Sequence, residues 1–121
     1  MGVDQYSSAH VFEALPDGGR IVLERKDASD SAGVRIIRAH MRTIADAFGR
    51  GDFTAPGMVH MTKVPGTEVM AAKRDVISYV AVDRPAGGEV RLTTSDTVAI
   101  RAIHEFLAFQ RMDHRAPAHS M

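Results

Sequence analysis

A chain of 121 residues, 45% hydrophobic and 25% charged, fits one ordinary globular domain and excludes a disordered or low-complexity polymer. Fifteen Lys and Arg balance fifteen Asp and Glu, so no global field draws it to nucleic acid or to an anionic membrane, and no apolar run approaches the roughly 20 residues that cross a bilayer. Cysteine is absent, so disulfides, thiolate metal sites and cysteine nucleophiles are excluded together, leaving His, Met, carboxylates and hydroxyls to build any site.

The opening residues, MGVDQYSSAH, have no basic start followed by an apolar stretch, which predicts either a cytoplasmic protein or a periplasmic one whose leader has been removed. Residues 10–15 (HVFEAL) and 20–25 (RIVLER) flank Pro16, Asp17, Gly18 and Gly19, and this pattern predicts a hairpin with the glycines in its turn. The segment KDASDS then offers Ser and Asp side chains to the first free N–H groups of a helix predicted from about Gly33 to Phe48. Val34, Ile37, Met41, Ile44, Ala45 and Phe48 recur at three- and four-residue steps and share one face, while Arg35, Arg38 and Arg42 form a charged stripe on the other side.

Residues 49–75 form a connector with two Pro, four Gly and three Met, too long to be structureless without a purpose. The first plan then returns. Residues 76–82 (VISYVAV) and 89–93 (EVRLT) flank Arg84, Pro85, Ala86, Gly87 and Gly88, and Ser95 and Asp96 precede a helix to about Met112. The halves, about 10–48 and 76–114, align with Gly18 and Gly19 on Gly87 and Gly88, Ile21 and Leu23 on Val90 and Leu92, His10 on Tyr79, and Val34, Ile36 and His40 on Val98, Ile100 and His104.

A strand–strand–helix unit cannot cover its own apolar face, so two are expected to pair. The predicted architecture is a single α+β domain: two pseudo-symmetric ββα halves forming a four-stranded antiparallel sheet with both helices packed on one face. The tail, 115–121, has no periodicity.

His40 lies between Ile36 and Ile44, and His104 between Ile100 and Ala108, so each imidazole borders an apolar row. If the two occupy equivalent places on paired helices, they are positioned to face each other across a pseudo-two-fold axis. His60, flanked by Met58 and Met61 in the connector, adds a nitrogen between two thioethers. Three histidines with an open position suit zinc or copper, and the His and Met mixture without Cys prefers copper. The sequence therefore points first to a small metal-binding protein with His40, His60, His104, Met58 and Met61 as candidate ligands.

Two other readings stay open. One is a small-molecule site or simple acid–base enzyme in a cavity between the halves, with His40 or His104 titrating near neutral pH. The other is a homodimeric interaction module acting through the open sheet face or an edge strand.

His114 follows His104 by ten residues, about 15 Å along the helix, too far to share one metal ion, and serves better at the helix end. His10 starts a strand, and His119 lies in the tail. Neither GxxxxGK[ST], GxGxxG nor Gly-x-Ser-x-Gly occurs, so phosphate loops, a nucleotide cofactor and a hydrolase elbow have no support. The arginine stripe is expected to be a solvated face and not an RNA grip, because only Phe12 and Tyr79 supply aromatic rings on the predicted strands.

Overall fold

The computed structural model describes residues 8–53 and 64–113. Strands β1 (Ser8–Leu15), β2 (Gly18–Arg25), β3 (Ser78–Arg84) and β4 (Gly87–Thr93) make one antiparallel sheet in the order β1-β2-β4-β3. Helices α1 (Ser31–Gly49) and α3 (Thr97–Asp113) follow the two hairpins. The connector holds a short helix α2 (Thr67–Ala72) and a 3-10 turn, Arg74–Val76. The expected α+β sheet of two ββα halves is therefore the fold.

The two long helices, α1 and α3, each start where an aspartate accepts orphan N–H groups. Asp30 takes the Gly33 N–H at 3.1 Å, and Asp96 takes those of Val98 and Ala99 at 2.9 and 3.0 Å. The Ala99 bond, with Lys73 at 3.0 Å, holds the Asp96 carboxyl below the usual carboxylate range. Helix α1 ends as Gly51 enters the left-handed region at φ 79°, sending its N–H to Phe48 and that of Asp52 to Ala47.

The two hairpins pair in matching registers. Pairing sets Ile21 opposite Val90, residues that also correspond between the hairpins, so the pseudo-two-fold axis passes between β2 and β4 at that pair. The closing hydrogen bonds obey it too: Thr94 N–H donates to Asp17 carbonyl, and Arg25 N–H donates to Ala86 carbonyl, at 2.9 and 2.8 Å.

The glycine pairs lie inside β2 and β4 and not in the turns, which consist of Pro16-Asp17 and Pro85-Ala86. Their role is close approach. A Cβ on Gly18 would strike the Leu92 carbonyl, and one on Gly87 the corresponding Leu23 carbonyl. A Cβ on Gly19 would strike the side chain of Leu107, and one on Gly88 would meet Met41 at 3.1 Å.

Helix α1 packs on β3 and β4, and α3 packs on β1 and β2, so each half lays its helix over the other half's hairpin. The core forms beneath the helices, from Phe12, Ile21 and Leu23 to Ile37, Met41, Phe48, Val90, Leu92, Ile103 and Phe106.

Candidate functional site

The two histidines do not occupy equivalent positions. Caps Asp30 and Asp96 correspond, and so do Met41 and Leu107 over their glycines, which makes Arg38 the counterpart of His104 and places Phe106 opposite His40 in the repeat. The contacts agree. His104 Nε2 donates to the Leu15 carbonyl at 2.8 Å, while Arg38 donates to the Arg84 carbonyl at 2.7 Å and the Gly87 carbonyl at 3.2 Å. Leu15 and Arg84 are the matching last residues of β1 and β3.

Arginine and histidine thus perform one task, tying a helix to the turn end of the hairpin it covers. Since a carbonyl only accepts, the His104 proton sits on Nε2 and only Nδ1 keeps a lone pair. His40, two residues and about 200° around α1 from Arg38, faces the opposite flank of that helix. It is half-buried, and the loss of solvation holds its pKa below the ordinary value.

His60, Met58 and Met61 lie outside the described residues, as do His114 and His119. Among the described residues, no group of three His, Asp or Glu side chains is placed to hold a metal ion. His10 stacks on Phe12 with ring centroids 6.3 Å apart. Phe48 of α1 meets Phe53, Tyr79 of β3 and Phe106 of α3 at 4.6, 5.6 and 5.7 Å between ring centroids. The Tyr79 and Phe106 rings meet it edge-on, the favoured arrangement for aromatic pairs. In the arginine stripe, Arg35 and Arg42 are exposed, Arg42 standing 3.4 Å from the equally exposed Asp83, while Arg38 makes the contacts above.

The other side of the sheet is different, because both helices lie on one face. Across it, in strand order β1-β2-β4-β3, run Val11, Val22, Glu89 and Val82, then Glu13, Arg20, Arg91 and Val80, then Ala9, Glu24, Gly87 and Arg84. Val11, Val80 and Val82 are 46, 49 and 38% exposed, whereas Val22 and Glu89 at the centre are 4% exposed.

The near-burial of Glu89 needs compensating charge. Arg84 supplies it at 2.7 Å, Arg91 at 3.5 Å and Arg20 at 3.8 Å. Arg20 and Arg91 stand directly opposite each other, a repulsive arrangement that Glu13, 2.7 Å from Arg20, and Glu89 offset. Arg84 also binds Glu24 at 2.9 Å, and these two carboxylates hold its pKa above the ordinary value.

The sheet's two outer edges differ as well. On β1 the carbonyl of Phe12 points outward and receives a hydrogen bond from Arg111. Its counterpart on β3 is Ala81, and the helix position matching Arg111 is Ala45, which has no donor to give. Among the described residues, none bonds to the outward backbone groups of Tyr79, Ala81 and Asp83.

Sequence reading missed Val80, Val82, Glu89 and Arg111. One signal was present in VISYVAV, where both alternating rows are apolar: Ile77, Tyr79 and Ala81 enter the core, so Val80 and Val82 were left for a face with no helix.

Against known protein families, curated proteins and solved structures, the chain has no match.

Proposed function

We propose that this protein is an interaction module that works as a homodimer, joining a second copy through its sheet. The observation that carries the reading is the set of half-exposed valines, Val11, Val80 and Val82, all on the one sheet face that no described helix covers. Burial of such side chains is the main favourable term in association.

A copper or zinc site through His40, His60 and His104 draws less support. His104 Nε2 is committed to the Leu15 carbonyl, and His40 stands on a helix flank with a different counterpart. An acid–base site between the halves draws less again, because His104 is tied to a backbone carbonyl at the hairpin turn and His40 lies on the flank of the other helix.

Light scattering across a dilution series tests the reading. The expected result is a mass that doubles with concentration, accompanied by a melting temperature that rises with it. A monomer mass at every concentration overturns the proposal. A stoichiometric rise in melting temperature with Cu(I), Cu(II) or Zn(II), lost in His40→Ala and His104→Ala but kept in His119→Ala, would restore the metal site in its place.

A further inference from the structure

We infer that the second copy joins edge to edge through β3, its strand running antiparallel to the partner's β3 about Ala81, so that two four-stranded sheets become one of eight strands. The inference rests on the protein's being a self-associating module, and adds which surface joins and in what alignment.

The choice of edge follows from an asymmetry within a symmetric fold. Thr94 N–H donates to the Asp17 carbonyl, which sets the parity of hydrogen bonding throughout the sheet. Ser78, Val80, Val82 and Arg84 therefore turn their backbone groups toward β4, and Tyr79, Ala81 and Asp83 turn theirs outward. On β1 the outward residues include Phe12, whose carbonyl Arg111 occupies. An edge strand is normally blunted by charge, proline or a covering side chain. The run Val80-Ala81-Val82 has none of these.

The alignment is fixed by the strand's own pattern. With Ala81 on a two-fold axis, Tyr79 faces the partner's Asp83, Val80 faces the partner's Val82, and Ser78 faces the partner's Arg84. The whole of β3 is paired, Val80 and Val82 of each copy meet those of the partner, and no two like charges stand opposite. Shifting the axis to Val80 or Val82 shortens the ladder or sets a valine against Ser78 or Arg84. A two-fold axis also closes the assembly at two copies, since it consumes both free edges.

Stacking the two open faces is the competing geometry. It would take Arg20, Arg84, Arg91, Glu13 and Glu24 out of water, all now a third to a half exposed, with a desolvation cost that edge pairing avoids.

Amide hydrogen exchange on the unmodified chain reads the edge directly. The amides of Tyr79, Ala81 and Asp83 are expected to exchange at least about tenfold more slowly well above the dissociation constant than below it, while the outward amide of Ala14 on β1 is unchanged. Because the chain has no cysteine, a cross-link adds a second measure. In Val80→Cys/Val82→Cys each thiol faces the partner's opposite thiol across a non-hydrogen-bonded pair, about 4.5 Å between Cα atoms and within disulfide reach. Oxidation is expected to give a covalent dimer, and the same treatment of Val11→Cys a monomer.

A dimer whose Tyr79, Ala81 and Asp83 amides exchange at the same rate at all concentrations overturns the edge pairing and leaves self-association standing. A monomer throughout overturns both. Cross-linking of Val11→Cys in place of the β3 pair would assign the contact to the open face.

Discussion

The two halves of this molecule share the caps and close glycine contacts that shape the backbone and differ at the side chains that tie helix to hairpin. Cap for cap and glycine for glycine they agree, down to Leu92 and Leu23 carbonyls approaching Gly18 and Gly87. They part at Arg38 against His104 and at Ala45 against Arg111. The difference teaches that two halves can keep the same backbone contacts without keeping the same side-chain donors.

The largest expected effect lies in what the halves share. Met41→Ala and Leu107→Ala each remove a buried side chain resting on a strand glycine, and each should lower the free energy of unfolding by about 2–5 kcal/mol in urea titrations. Similar losses sharpen the equivalence, and a loss confined to one variant breaks it.

Next comes Arg111→Ala, which leaves the Phe12 carbonyl without its donor. A loss of about 1.5–3 kcal/mol is expected, the range for a hydrogen bond to a charged group. The β1 edge would then resemble β3, so light scattering should show species larger than a dimer. A mass that stays at two copies would mean that β1 is guarded by something other than this arginine.

Arg38→Ala and His104→Ala compare the two ties to the turns. The arginine makes two bonds and carries charge, so its loss should cost about 1.5–3 kcal/mol, against about 0.5–1.5 kcal/mol for the histidine. Equal losses in thermal melts would contradict the difference.

The smallest effect is a pH dependence at His40. Burial lowers its folded pKa beneath the unfolded value of about 6.5, so below that pH the unfolded chain binds the extra proton first. The stability it contributes is complete above the unfolded value and is lost as pH falls through it toward the folded one. Unfolding midpoints should decline over that window, and His40→Gln should flatten the decline. An unchanged slope in the variant would assign the decline to other groups.

Much of the architecture was legible because it rests on local pattern. Alternation in RIVLER and EVRLT, the three- and four-residue steps of α1, and the Asp caps all report how a segment buries one face. The repeat's helical alignment was misread because it was built on matching residue types, Val, Ile and His. The molecule matches by task, Asp30 with Asp96 and Met41 with Leu107, and so puts an arginine where a histidine was expected. The turns were misplaced for a related reason. Glycine is a strong turn signal, yet here it serves a neighbouring carbonyl and a helix side chain from another half of the chain. Nothing local in EVRLT marks Glu89 for burial, because its partners Arg20 and Arg84 come from β2 and β3.

The exchange of helices between halves has a consequence for how the chain is made. On the ribosome β1, β2 and α1 emerge before β3 and β4, and the hairpin that α1 covers is complete only at Thr93, 44 residues after Gly49 (93 − 49). At synthesis rates of about 5–20 residues per second, the apolar stripe of Ile37, Met41, Ile44 and Phe48 waits roughly 2–9 s for its cover. Until then that stripe is the kind of exposed helical apolar surface on which chaperones act, and α1 gains its cover only once β3 and β4 have emerged.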